Sequence, residues 1–220
     1  MENKVVSRDD RLNAAFWVCL VFFGAAACWR LFLALEKQLA LYAYVDYFIM
    51  LGCLVVGAMQ KNRWHNRLPA CGIVLVCILT QIVNGGWSVN IGGIFMSGQA
   101  TLALRHMADL VYYIALLITA VFLFLARGRA SCFSSLAALL ASLVFIVTTC
   151  VLTAEYTGDF NIAWEWWVEN GMLVPTYFAV TSLLALCLFF YQYTAFTAPM
   201  RKKRREKLDA ANKNARKRDA

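Results

Sequence analysis

Five side chains that can bind an anion, accept a proton or pair with one another lie within or beside long apolar stretches of the sequence. They are Arg30, Asp46, Arg105, His106 and Asp109. A charge near the centre of a bilayer costs at least about 2.5 to 3.5 kcal/mol on insertion scales, so such residues normally face a protein interior, a cavity or a partner. These five residues are therefore the candidate ligand-binding residues of the chain.

The composition identifies the environment in which these residues must be placed. Of the 220 residues, 61% are hydrophobic and 15% are charged, and the mean hydropathy is +0.60. Soluble domains are roughly half apolar and a quarter charged. Abundant Phe, Leu and Trp, with only 3 Pro and 12 Gly, also exclude a disordered chain. The composition indicates an integral membrane protein.

Six apolar stretches are long enough to cross a membrane as helices. Each needs about 20 mostly apolar residues, because every backbone polar group in the hydrocarbon must be paired internally. The stretches are 13–35, 39–59, 68–84, 106–126, 132–154 and 172–193. We therefore predict an all-α fold, a polytopic transmembrane bundle of six helices. The domains are a cytoplasmic N-terminus (1–12), the bundle (13–196) and a basic cytoplasmic tail (197–220).

The segment between the third and fourth stretches, 85–105, contains five glycines among apolar residues. Glycine weakens helices and favours turns. We predict a loop packed on the outer end of the bundle; an interfacial or a shallow re-entrant segment is the alternative.

Lys and Arg are concentrated in the segments that lie on one side of this predicted topology. Three precede the first helix, three lie between the second and third, two between the fourth and fifth, and ten follow the sixth. Because cationic loops tend to stay cytoplasmic, both termini are expected in the cytoplasm. The first stretch also resembles a signal peptide, but Asp9 and Asp10 in its basic region favour a retained helix. The topology suits a bacterial inner membrane.

The tail begins with five consecutive basic residues, Arg201, Lys202, Lys203, Arg204 and Arg205. A juxtamembrane basic run attracts anionic lipid head groups, by about 1 kcal/mol per residue near the surface. Nucleic acid is the other polyanion to consider, but no aromatic residue follows Phe196 to stack on bases. The sequence therefore favours anionic lipid, with a membrane-protein partner as a further candidate.

The five candidate residues have similar predicted depths in the membrane. Arg30 lies about a turn and a half below the outer end of helix one, Asp46 about two turns into helix two, and Asp109 in the first turn of helix four. At 1.5 Å per residue, these positions fall within roughly 5 to 10 Å of one another along the membrane normal. Arg105 and Asp109 are four residues apart and share a helix face. His106 lies beside them.

We therefore predict a pocket beneath the outer surface, lined by these five residues. Its predicted roof is formed by Trp87 and the Glu-Trp-Trp segment 165–167. The alternative is a structural ion pair between Arg30 and Asp46. In that case the side chains of Arg105 and His106 extend to the membrane interface.

The sequence contains no strong signal for an enzyme, a metal or a cofactor. The eight Cys residues include no Cys-x-x-Cys pair, and only two His occur. There is no Gly-x-Ser-x-Gly elbow, zinc-binding His-Glu-x-x-His or phosphate-cradling Gly-rich loop. We expect no metal site and no cofactor, and the balance is against catalysis.

The layout of the second and fourth helices is similar to that of a known family. The second helix carries the aromatic-led segment 47–53, His106 opens the fourth, and a Trp-rich loop precedes the sixth. In these features the chain resembles the six-helix membrane proteins related to the androgen-induced fatty-ester hydrolases, including their bacterial relatives. Hydrolytic members use a Thr nucleophile with a His. Here Ile49 stands at the Thr position, and Gly52 and Cys53 replace a Ser-Asn pair, so the resemblance implies the fold and not that hydrolysis.

The expected function is that of a multi-pass membrane protein that binds or transports a small or lipidic ligand through the outer polar pocket. One alternative is a non-catalytic scaffold or accessory subunit. The other is an intramembrane hydrolase in which His106 is the base and Asp109 or Asp46 orients it.

Overall fold

The computed structural model describes residues 8–39, 44–60, 64–169 and 173–192. These residues form eight α-helices, and no strand occurs among them. The helices are α1 (Arg8–Glu36), α2 (Asp46–Met59), α3 (Trp64–Cys77), α4 (Gly86–Met96), α5 (Ala100–Phe124), α6 (Gly128–Thr157), α7 (Phe160–Glu169) and α8 (Leu173–Gln192), and a π-helical segment (Ile78–Val83) continues α3. The predicted all-α fold class is confirmed for this part of the chain, while the basic tail lies outside it.

Six of the described helices form a closed ring. Helix α1 packs on α2, α2 on α3, α3 on α5, α5 on α6, α6 on α8, and α8 returns to α1. The two short helices lie outside this ring, α4 against α5 and the π-helical segment, and α7 against α6 and α8. At one end of the ring, α1 and α6 terminate and α5 and α8 begin. We call this the site end, because α4 and α7 both lie there.

Five of the described helical segments are long and apolar enough to cross a membrane. They are Asn13–Glu36, Trp64–Val83, Ala100–Phe124, Gly128–Thr157 and Leu173–Gln192. Helix α2 is apolar but has only 14 residues. At 1.5 Å per residue it is about 21 Å long, shorter than the roughly 30 Å hydrocarbon core.

The interior of the ring is largely apolar with some polar side chains, and its exterior is apolar as well, unlike that of a soluble protein. Large apolar side chains are exposed all around it, including Val21, Phe22, Phe133 and Val147. Small polar side chains of α6 are buried instead, where they allow close helix contact: Ser131, Ser134, Ser135 and Ser142. Two of them bond to neighbouring helices, Ser134 to Thr119 of α5 at 2.7 Å and Ser142 to Ser182 of α8 at 3.2 Å.

The prediction of a loop over 85–105 is wrong. Helix α4 occupies most of this segment, and α5 begins at Ala100. The backbone has positive φ at Gly85 (+70°) and Gly98 (+59°), so these two glycines separate helices rather than forming a long loop. Gly93 lies inside α4, where a side chain would collide with His106.

Two predicted helix starts are also wrong, which changes the depth of the candidate residues. Asp46 is the first residue of α2 instead of lying two turns within it, because 44–45 form a turn and 40–43 lie outside the described residues. A carboxylate in the first turn of a helix is favoured by the unpaired N–H groups there. His106 lies nearly two turns into α5, and the predicted loop before α8 contains α7.

A proline-centred cluster joins three helices at the opposite end of the bundle. Pro69 within α3 cannot donate to the carbonyl of His65, and the Tyr191 hydroxyl of α8 donates to that carbonyl instead. The His65 Nδ1–H group donates to the carbonyl oxygen of Gly57 in α2 at 2.8 Å. A Cβ at Gly57 would lie 2.9 Å from the Pro69 ring. This close packing explains how α3 tolerates an internal proline.

Candidate functional site

A partly open cavity of about 760 Å³ lies at the site end, between α1, α4, α5, α6, α7 and α8. Its volume falls within the range of about 300 to 1,000 Å³ that is typical of ligand pockets. Four of the five predicted site residues line it, namely Arg30, Arg105, His106 and Asp109. Asp46 does not. Whether any of these residues binds a ligand stays a prediction.

The rest of the wall is largely apolar and aromatic. Phe145 and Leu152 of α6, and Val174 and Phe178 of α8, line the cavity, as do Trp166 and Trp167 of α7. Trp167 is only 4% exposed and packs edge-on against Phe178, with 6.1 Å between the ring centroids. Of the predicted roof, Trp87 and Glu165 do not line the cavity.

Both oxygens of the Asp109 carboxylate already accept hydrogen bonds from the protein. Asn90 Nδ2 of α4 donates to Oδ2 at 2.6 Å, and the Tyr177 hydroxyl of α8 donates to Oδ1 at 3.0 Å. Hydrogen bonds to an ionised carboxylate are about twice as strong as neutral ones. The carboxylate therefore holds α4 and α8 against α5.

A chain of tyrosine hydroxyls extends this network into the core of the ring. Tyr113 and Tyr177 hydroxyls lie 2.9 Å apart, and Tyr47 and Tyr113 hydroxyls lie 3.2 Å apart. The Tyr177 hydroxyl donates a hydrogen bond to Asp109, so it must accept one from the Tyr113 hydroxyl. The Tyr113 hydroxyl in turn accepts a hydrogen bond from that of Tyr47. All three hydroxyl protons thus point towards the carboxylate, and the chain joins α2, α5 and α8.

His106 enters the same network through Asn90. The Asn90 amide donates to Asp109, so its carbonyl oxygen accepts the His106 Nδ1–H group at 3.1 Å. This fixes the tautomer of a neutral ring and leaves Nε2 as a hydrogen-bond acceptor. Gly93 of α4 packs directly on the ring: a Cβ there would lie 2.1 Å from Cδ2. The ring orientation therefore depends on two residues of α4.

Arg105 does not extend to the surface as the ion-pair alternative requires. Its Nε donates to the Thr149 hydroxyl of α6 at 3.1 Å, and its guanidinium carbon lies 5.3 Å from the centroid of the Phe145 ring. Its two terminal nitrogens donate to no described residue. The side chain is half-buried and lines the cavity, so these donors can reach a ligand there.

Arg30 lies among aromatic rings. Its guanidinium carbon is 4.9 to 5.4 Å from the ring centroids of Tyr44, Tyr47 and Tyr177, within cation–π range. The residue is 8% exposed and lines the cavity. Three rings thus hold this cation at the cavity wall.

Asp46 is fully buried beside the cavity but outside its lining. Its Oδ1 accepts the backbone N–H of Tyr47 at 2.8 Å, and its Oδ2 accepts no hydrogen bond from a described residue. Arg30 is near enough to attract the carboxylate electrostatically. The predicted pocket position does not describe this residue, since it begins α2 and lies outside the cavity lining, whereas its structural ion pair with Arg30 stays a prediction.

Asn90 and Tyr177 are the site residues that sequence reasoning missed. Asn90 is one of several polar residues in a segment that the sequence predicts to be a loop, so no helix face can be assigned to it. Tyr177 is one of nine tyrosines, and nothing in the sequence separates it from those in interfacial belts.

The hydrolase alternative gains a base but no nucleophile. The orienting partner of His106 is Asn90, which in turn donates to Asp109, so neither Asp109 nor Asp46 orients the ring directly as that hypothesis expects. Ile49 has no reactive group, and Cys53 packs near Gly72 of α3 and does not line the cavity. Thr149 does line it, but its hydroxyl donates to the Phe145 carbonyl at 2.7 Å. Within the described ranges, no three His, Cys, Asp or Glu side chains form a metal-binding group.

No protein-family model, curated protein sequence or solved structure shows a significant match to this chain. The class of protein therefore rests on the structure. Five apolar helices of sufficient length, buried polar side chains and an exposed apolar surface define an α-helical membrane protein.

Proposed function

We propose that the protein binds an anionic amphiphile, a small or lipidic molecule with a phosphate or carboxylate group, in the cavity at the site end. One observation carries the proposal. Arg30 and Arg105 line the cavity, whereas Asp109 is the sole carboxylate among its described lining residues, and both its oxygens are already bonded. Asp46 lies behind the wall and attracts Arg30, so Arg105, whose Nε donates to a neutral hydroxyl, is the cation best placed to bind an anionic group.

The shape of the cavity supports a ligand with one polar and one apolar part. Arg105 presents unused donors on one side, and bidentate binding by a guanidinium suits both carboxylate and phosphate. Phe145 and Phe178 supply apolar surface around it. Binding of this kind is also the first step of transport, so a binding protein and a transporter would require the same site.

The test is thermal stabilisation of the purified protein in a neutral detergent. A ligand that binds the folded state raises the melting temperature, by an amount set by its concentration relative to Kd. Dodecyl phosphate should stabilise the protein, and dodecyltrimethylammonium at equal concentration should not. Arg105→Gln should weaken dodecyl phosphate binding about tenfold or more, since a hydrogen bond to a charged group contributes about 1.5 to 3 kcal/mol.

Arg105→Lys is the matched variant, because it keeps the charge and loses the planar pair of donors. It should bind more weakly than the wild type and more tightly than Arg105→Gln. Equal stabilisation by the anionic and cationic amphiphiles, or an unchanged response in Arg105→Gln, would refute the proposal.

We also propose the topology that the cation distribution favours. Six helices cross the membrane, both termini lie in the cytoplasm, and the basic run 201–205 contacts anionic lipid of a bacterial inner membrane. Support comes from the charge distribution in the sequence and from the ring of six helices. Fusions of a cytoplasm-active and a periplasm-active reporter to each terminus test it, and termini on opposite sides would contradict it. In the alternative scaffold role, deletion of 201–220 removes co-purifying proteins.

The intramembrane hydrolase is the second candidate, favoured by the hydrogen-bonded His106 at the cavity wall. It requires labelling by serine- or cysteine-directed lipid probes that disappears in His106→Ala. No labelling by either probe class would eliminate it.

A further inference from the structure

A second cavity, of about 540 Å³, runs as a groove between α3 and α5 on the exterior of the ring. All the residues that line it are apolar or Cys. Small residues, including Ala70 and Ala120, form its floor, and larger ones, including Val74, Val121 and Phe124, are exposed along its edges. The groove therefore faces lipid.

The length of the groove is close to the hydrocarbon thickness of one leaflet of a bilayer. On α5 its lining runs from Leu117 to Leu125 near the helix end, a rise of about 12 Å at 1.5 Å per residue. This is close to half of the roughly 30 Å hydrocarbon core. The length matches an acyl chain of a lipid whose head group lies at the end of the bundle opposite the site end.

A cation lies at that end of the groove. The Arg67 guanidinium carbon is 5.3 Å from the centroid of the Phe124 ring, which lines the groove. Arg127 and Arg129 are exposed at the same end of the bundle. The segments 56–75 and 117–135 contain no Asp or Glu, so no carboxylate of either segment neutralises these charges.

We propose that this groove binds one acyl chain of an anionic phospholipid whose phosphate contacts Arg67. A lipid fits better than a partner helix, because helix contacts in membranes favour small residues and the edges of this groove carry Val121 and Phe124. The site is separate from the cavity at the site end and does not depend on the function proposed for it.

Native mass spectrometry of the purified protein tests the site. The probe is an equal mixture of phosphatidylglycerol and phosphatidylcholine with the same acyl chains, added in a neutral detergent. The wild type should retain phosphatidylglycerol preferentially. Arg67→Gln should reduce that preference about fivefold, the effect of one basic residue at an anionic membrane surface. Arg129→Gln removes an equal charge at the same end and should leave most of the preference intact.

The groove itself is tested by filling it from its exposed edge. Val121→Phe should lower the amount of either lipid retained, whereas Val147→Phe, at an equally exposed position on α6, should not. Equal retention of the two lipids by the wild type, or equal effects of Arg67→Gln and Arg129→Gln, would overturn the proposal. A protein dimer that Val121→Phe dissociates would also overturn it, because the groove would then hold a second copy.

Discussion

Replacing Gly93 with alanine should disturb the site more than any other change of one methyl group in α4. A Cβ at this position would lie 2.1 Å from Cδ2 and 2.4 Å from Nε2 of His106, whereas ordinary contacts begin at 3.4 Å. The ring or the helix must therefore move by roughly 1.3 Å. The His106–Asn90 hydrogen bond, 3.1 Å long, does not survive such a shift along its axis.

The expected cost of Gly93→Ala follows from these two effects. Overpacking costs about 1 to 3 kcal/mol and the lost hydrogen bond about 0.5 to 1.5 kcal/mol. The better helix propensity of alanine stabilises the folded state by about 0.5 to 1 kcal/mol, which offsets part of this loss. The net loss is about 0.5 to 4 kcal/mol, and each kcal/mol lowers the melting temperature by roughly 2 to 4 °C for a chain of this size.

Gly92→Ala is the matched control, because a Cβ at Gly92 meets nothing within 4 Å. Its melting temperature should equal or slightly exceed that of the wild type. The double variant Gly93→Ala/His106→Ala removes the ring that the methyl group strikes, so the two changes should cost less together than their sum. Equal melting temperatures for Gly92→Ala and Gly93→Ala would refute the proposed contact between α4 and α5.

Two further substitutions test the networks at the two ends of the bundle. Tyr191→Phe leaves the His65 carbonyl without its donor and should cost about 1 to 3 kcal/mol of stability, whereas Tyr156→Phe, at an exposed position, should cost little. Thermal unfolding of both variants checks this, and equal stabilities would contradict it. Asp109→Asn weakens the bond from Tyr177 and should cost about 1.5 to 3 kcal/mol. It should also speed hydrogen exchange in α4, and unchanged exchange there would show that the carboxylate does not hold this helix.

The long helices could be predicted from the sequence because their signal is local. Apolar stretches of the required length identify the five helices that are long and apolar enough to cross a membrane, with ends within a few residues for the apolar part of α1 and for α8. Helix α4 could not be identified in this way, because glycine weakens helix propensity wherever it occurs. The absence of a side chain at Gly93 allows the His106 ring of α5 to approach α4 closely. A single sequence does not show which residue of another helix lies opposite a glycine.

The site could be predicted in part. Arg30, Arg105, His106 and Asp109 were identified because charge is costly among apolar residues, and the structure brings all four to one cavity. The Asp46 position was wrong, since its depth depended on a helix start that hydropathy does not mark. The bond from Tyr177 to Asp109 joins residues 68 positions apart, so it depends on how the ring makes α5 and α8 face each other across its interior.

Photocrosslinking with a diazirine-bearing fatty acid tests whether the cavity at the site end holds an anionic amphiphile. The diazirine is placed at the middle of the chain, and attachment sites are mapped by peptide mass spectrometry after irradiation in a neutral detergent. Adducts should concentrate on the cavity wall formed by Phe145, Phe178 and Trp167, and should decline sharply with the matched fatty alcohol. Adducts spread over exposed residues such as Val21 and Phe133, with no difference between acid and alcohol, would show that the cavity does not select an anion.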